Sequence, residues 1–142
     1  MKTEKASPAT PWHLWLIGGL LFVFNSFAAV DYIATITRFE PYLANYPQET
    51  LDYFFNAPAW MYLMWGGSML GGFVSALFLL LRRKIAIPLA VLAWVCSAVV
   101  AVHDYINPAP VSPGVLFYAG FLLVALLLIY YMHRLSRRGV LR

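Results

Sequence analysis

A single cysteine, Cys96, stands in this 142-residue sequence, and it lies inside an apolar run. An intrachain disulfide is therefore excluded, and so is a cysteine-built zinc site. Charge is equally scarce: 11% of the residues are Asp, Glu, Lys or Arg, against about a quarter in an ordinary soluble domain. There is no glycine-rich phosphate loop and no Ser-His-Asp spacing, which leaves nucleotide and hydrolase chemistry without a residue set. His13, His103 and His133 make no metal-ligand pattern. No metal, no cofactor and no enzymatic reaction are expected. What the sequence has instead is apolar surface, with 62% of its residues hydrophobic. A chain this short cannot bury so much inside a water-facing core, because small folds keep a large share of their surface exposed. Membrane lipid is the partner this composition requires.

The apolar residues fall into four runs, at about 12–35, 59–81, 85–106 and 115–132. Each is near the roughly 20 residues an α-helix needs to cross a bilayer. The expected fold is all-α: one domain of four antiparallel transmembrane helices. The first run also has the look of a signal peptide, with Lys2 and Lys5 ahead of it and Ser26-Phe27-Ala28 as a cleavage-like tripeptide. It is long for that role and Asn25 interrupts it, so it is expected to stay as a span.

Charge sets the orientation. Lys2, Lys5, Arg82, Arg83, Lys84, Arg134, Arg137, Arg138 and Arg142 all fall at one end of the expected bundle, and Arg38 alone at the other. Positive residues stay cytoplasmic during insertion, which predicts both termini inside. The same placement, at the ends of apolar runs and not on one patch, argues against a nucleic-acid partner despite the net charge of +4. In the connection after the first span, Pro47 opens a segment in which Leu51, Phe54 and Phe55 recur at helical spacing. This predicts a short amphipathic helix on the outer membrane surface.

Within the spans, small residues form two ladders at i+4 spacing: Gly67, Gly71 and Ser75, and beside them Ser68, Gly72 and Ala76. They let helix backbones approach closely, inside the bundle or between protomers. Gly71→Ile is expected to disturb that packing and Leu79→Ile to leave it intact.

The informative polar residues are Asp31 and Asp104, each near the outer end of its span. They sit in a faint repeat, Asp31-Tyr32-Ile33 and Asp104-Tyr105-Ile106, recurring half a chain apart. Asp31 shares a helical face with Thr35 and Arg38, which are placed to extend a network. Asn25 lies deeper, on a stripe with Tyr32, and is expected to bond to a neighbouring span. Two inward carboxylates at equal depth would repel each other, and a cation or proton between them would relieve the repulsion. The alternative is a structural network tying two spans together. His103 points to a different face from Asp104 and is at most a proton relay. His13 and His133 lie near the inner surface, where an axial haem pair is the minor reading and interfacial histidine the ordinary one.

Further features run nearly the whole length of the chain: Asn25, Asp31-Tyr32, Thr35, Thr37-Arg38 and Glu40, then Pro47-Gln48-Glu49, Leu51, Tyr53-Phe54, Pro58-Ala59-Trp60 and the ending Arg138-Gly139-Val140-Leu141-Arg142. In these the chain resembles a family of small four-span bacterial inner-membrane proteins often labelled "sugar transporter". The resemblance implies a bacterial inner-membrane location and Asp31-Tyr32 as a shared feature, and supplies no catalytic residues. The expected function is transport-type binding of a small solute or ion at the acidic residues. The alternative is an accessory or scaffolding subunit, with homo-oligomer and larger membrane complex both open.

Overall fold

The computed structural model describes residues 9–110 and 113–142. Lys2 and Lys5, two of the residues in the charge argument, lie outside the described residues. The described residues form six helices, α1 (Trp12–Ile36), α2 (Glu40–Leu43), α3 (Gln48–Phe55), α4 (Ala59–Leu80), α5 (Ala86–Ile106) and α6 (Val115–Arg137), and no strand. Four of them, α1, α4, α5 and α6, are long and apolar enough to cross a membrane. They mark a multi-pass membrane protein. Prolines set three of the starts: Pro11, Pro47 and Pro58 each precede the first helical residue. There a fixed φ costs nothing and no backbone N–H is lost to the helix.

Three of the helices end in the same way. Phe39 N–H donates to Ala34 O, Arg83 N–H to Phe78 O and Val140 N–H to Leu135 O, at 2.9, 2.8 and 3.0 Å. In each case the residue before the donor takes a left-handed conformation. That residue is Gly139 after α6, but Arg38 after α1 and Arg82 after α4. A side chain in this conformation costs about 1–2 kcal/mol. The fourth span runs to Arg137, past the Met132 where its apolar run stops. Met132 and Leu135 still pack inward there, and Arg134 and Arg137 suit the negative end of the helix dipole.

α4 is the middle of the arrangement, packed on α1 and on α5, and α6 packs chiefly on α5. At the end that carries Pro11, Arg142 and most of the described basic residues, the basic end, Leu14, Leu79, Ala86, Met132, Leu135, Val140 and Leu141 form one core cluster. Because it joins the start of α1, the end of α4, the start of α5 and the end of α6, neighbouring spans are antiparallel. The opposite end, the loop end, carries α2 and α3.

The small-residue ladders account for the central place of α4. A Cβ on Gly67 would stand 2.7 Å from Cys96 Sγ, and one on Gly71 3.3 Å from Ala93 Cβ. Ser75 Oγ donates to Ala86 O at 2.8 Å, so this ladder lies wholly against α5. The second ladder divides. Ser68 Oγ is 2.5 Å from Ser97 Oγ of α5, whereas Gly72 meets the Asn25 side chain of α1. On the α1 side, Phe22 packs on Phe73 with ring centres 5.2 Å apart. Leu79 departs from expectation. It continues the Gly67, Gly71, Ser75 row by one more i+4 step and is fully buried, so Leu79→Ile is no neutral control.

Gly71→Ile is expected to destabilise the protein by about 1–3 kcal/mol, the usual result of overfilling a packed contact. Leu63→Ile, at a position 70% exposed, should leave stability unchanged. Thermal unfolding in detergent checks both, and equal midpoints for the two variants would show that the ladder bears no packing.

Candidate functional site

Both sequence-derived aspartates lie at the loop end, and each carboxylate accepts hydrogen bonds from two tyrosine hydroxyls. Asp31, on α1, has Tyr42 at 3.0 Å and Tyr46 at 2.8 Å, both on Oδ1. Tyr42 lies in α2 and Tyr46 just after it, and their rings are 6.0 Å apart. Asp104, on α5, has Tyr53 of α3 on Oδ1 at 2.7 Å and Tyr118 of α6 on Oδ2 at 2.6 Å. His103 Nδ1 lies 3.3 Å from Asp104 Oδ1. It also lies 3.5 Å from the Tyr53 hydroxyl. The imidazole therefore folds back to its neighbour's carboxylate and does not point to a separate face. Trp60 stands edge-on to the imidazole at 5.4 Å.

Asp104 is 8% exposed, in a helix otherwise almost wholly apolar. A carboxylate at the centre of a bilayer costs about 2.5–3.5 kcal/mol on insertion scales, and less near an end. A hydrogen bond to a charged group returns about 1.5–3 kcal/mol. The two phenols thus supply a donor to each oxygen of this carboxylate. The same bonds join four segments: Tyr53 ties α3 to α5, Tyr118 ties α6 to α5, and Tyr42 and Tyr46 tie the connection to α1.

The other candidates are placed differently. Thr35 Oγ donates at 2.8 Å to the backbone oxygen of Asp31 and not to its carboxylate. Arg38 turns away, its guanidinium 4.4 Å from the centre of the Phe55 ring. Asn25 Nδ2 donates to Leu21 O in its own helix at 2.8 Å, so the expected bond to a neighbouring span is replaced by an i−4 backbone bond. The two tyrosines of the Asp-Tyr-Ile repeat diverge. Tyr32 is buried, donates to Tyr62 O at 3.1 Å and meets Trp65 edge-on at 5.1 Å, while Tyr105 is 73% exposed. Trp65 in turn stacks on Phe54 of α3 at 5.2 Å, and the Tyr62 hydroxyl donates to Phe54 O. Among the described residues the two aspartates have no hydrogen-bonding residue in common.

At the basic end, His13 Nδ1 contacts the Tyr131 hydroxyl at 2.6 Å. His133, two residues on, lies about 200° round the helix from Tyr131, and it is exposed. The two histidines do not face one common position. Tyr42, Tyr46, Tyr53 and Tyr118 are the residues that sequence reasoning missed. The available signal was the pairing of a phenol's polar tip with an acid otherwise lacking donors. Comparison of the chain with protein-family models, with curated proteins and with solved structures gives no match.

The phenols of the connection hold their protons firmly. The hydrogen bond to Asp31 raises the Tyr42 pKa above the ordinary tyrosine value. Burial is the larger cause for Tyr46 and Tyr53, followed by their bonds to Asp31 and Asp104. A pKa raised in the folded state makes a stabilising contribution that is complete below the unfolded value of about 10 and is lost as pH rises through the folded value. The hold on the connection should therefore be steady at neutral pH and weaken only above about pH 10. Phenolate absorbance, compared between the protein and its single Tyr→Phe variants, checks this. Tyr42 should titrate above the free value and move toward it in Asp31→Asn. Titration of all three at the free value would contradict the assignment.

Proposed function

We propose that this chain is a multi-pass protein of a bacterial inner membrane that binds a small solute or cation at the acidic residues of its loop end, as a transport protein does. The observation that carries the reading is Asp104. It is more than nine-tenths buried and is faced by two phenols and an imidazole. In a membrane-spanning helix, an ionisable residue of this kind is a functional position by default. Its surroundings can exchange partners. A phenol oxygen has lone pairs to offer a cation, and an imidazole can take up or release a proton. A cation or proton on Asp104 would compete with the bond from Tyr53 and so loosen α3. Binding would then be coupled to movement of the connection, through its different affinity for the held and released forms. Asp31, with Tyr42 and Tyr46, repeats the chemistry on α1.

The distribution of charge supports an orientation with the basic end in the cytoplasm and the loop end outside. α3 then lies at the outer surface, with Gln48, Glu49 and Asp52 toward water.

A second reading, that of an accessory or scaffolding subunit, draws on α6. That helix packs chiefly on α5 and leaves Leu116, Phe121, Leu123, Val124 and Leu127 exposed. Another copy of the chain, or a larger complex, would cover the same face.

The two readings separate on Asp104→Asn and Asp31→Asn, which keep shape and remove charge. On the transport reading, each variant inserts and folds but loses solute- or cation-dependent uptake in reconstituted vesicles, and a reporter fused near Asn45 lies outside while one at Arg142 lies inside. Full retention of uptake by both variants, or a cytoplasmic reporter at Asn45, would overturn it. Failure to assemble with partners while single-chain behaviour is unchanged would favour the accessory reading.

A further inference from the structure

The basic end carries a second constructed feature, independent of the aspartates. Arg82, Arg83 and Arg142, with Leu81, line a cavity of about 240 Å³ beside the turn between α4 and α5. Arg142 is sixty residues from that turn in sequence, and three devices bring it there. Gly139, at φ 75°, reverses the chain after α6. Val140 and Leu141 then enter the core cluster, where they are almost wholly buried. Finally Arg142 N–H donates to Arg82 O at 2.7 Å, and Lys84 N–H donates to Arg142 O at 2.9 Å. The turn itself is held in a left-handed conformation at Arg82, where a glycine would be easier. Strain of this kind persists where the surrounding structure over-determines it, and it is concentrated at functional positions.

The charges gathered in this way are not answered within the described residues. There the one contact between a basic group and a carboxylate is His103–Asp104, at the other end of the bundle. Arg82 Nη1 donates to Thr10 Oγ1 at 2.5 Å, which leaves most of the five N–H donors of that guanidinium for another acceptor. The cavity volume is several times the roughly 30 Å³ share of a water molecule and is ample for a phosphate group. Guanidinium forks match the paired oxygens of a phosphate. The cavity also has an apolar margin. Leu81 in its wall and Ile85 beside it are more than half exposed, at the ends of two membrane-spanning helices, where acyl chains run alongside. Basic pockets at such positions recognise anionic headgroups.

We propose that this arginine-lined cavity binds the headgroup phosphate of an anionic phospholipid, with the lipid tails against Leu81 and Ile85. The lipid would join the α4–α5 turn to the end of the chain and so staple the basic end of the bundle.

The test uses the full chain in non-ionic detergent, titrated with dihexanoylphosphatidylglycerol, dihexanoylphosphatidylcholine or inorganic phosphate, with binding read by native mass spectrometry and by the shift in unfolding temperature. Phosphatidylglycerol should bind most tightly and raise the unfolding temperature. Arg83→Gln and Arg142→Gln should each weaken that binding about tenfold or more, the loss expected for one charge-assisted hydrogen bond. Arg137→Gln removes the same charge from an exposed position outside the cavity, and should change affinity by less than about threefold, since only diffuse attraction is lost. Equal losses from Arg137→Gln and Arg83→Gln would show attraction by net charge alone and overturn the site. Equal binding of the two lipids would overturn recognition of an anionic headgroup. Binding of inorganic phosphate as tight as that of phosphatidylglycerol would assign the cavity to free phosphate instead.

Discussion

A carboxylate in an apolar helix has to find donors, and this requirement organises one whole end of the molecule. Asp104 is buried and Asp31 half-buried, both in long apolar helices that supply few hydrogen-bond donors of their own. The donors come from elsewhere in the chain: Tyr42, Tyr46 and Tyr53 from the connection, and Tyr118 from the start of α6. The connection between α1 and α4 is thereby folded down onto the bundle. Its course follows from the chemistry of one buried acid, Asp104, and one half-buried acid, Asp31, more than from any preference of its own. Stacking of Phe54 on Trp65 and the bond from the Tyr62 hydroxyl to Phe54 O add an apolar and a backbone anchor to the same short helix.

Along the spans the constraint is different. Lipid gives helices no hydrophobic reason to associate, so contact has to come from close packing and a few polar bonds. α4 supplies both. Its glycines let α5 approach on one side and α1 on the other, and its serines reach Ser97 and Ala86 O across the α5 contact. α6 has no such surface. It is held at three separate levels, by Tyr118 on Asp104, by the Trp94 indole N–H on Leu122 O, and by the core cluster at the basic end. A helix fixed at points along an otherwise exposed apolar face is the part of the fold most open to a further partner, whether lipid or protein.

The four spans were legible in the sequence because a long apolar run has one physical solution in a bilayer, and their bounds agree to within a residue except at the end of α6. There Arg134 and Arg137 interrupt the apolar run without interrupting the helix, since a helix C-terminus favours basic side chains. The small-residue ladders were legible as packing surfaces, and what remained hidden was their division between two neighbours. The aspartates stood out for the same reason as the spans, as charges where charge is costly. Their partners did not. Whether Tyr53 meets Asp104 depends on how the connection over residues 37–58 docks, a long-range outcome that no local pattern encodes. The Asp-Tyr-Ile repeat misled for a related reason. Tyr32 and Tyr105 occupy equivalent places in two helices, but one helix face is covered by α4 and the other is left open. Arg38 is near Asp31 in sequence and on the same helical face, yet the left-handed turn that ends α1 carries it over Phe55.

The bond between Tyr53 of the connection and the Asp104 carboxylate of α5 holds the loop end together. A double-mutant cycle on Tyr53→Phe and Asp104→Asn measures it most directly, through the unfolding free energies of the protein, the two single variants and the pair. The expected coupling energy is about 1–3 kcal/mol, in the range for contacting groups that share a charge-assisted hydrogen bond. Additive losses, with a coupling indistinguishable from zero, would contradict it.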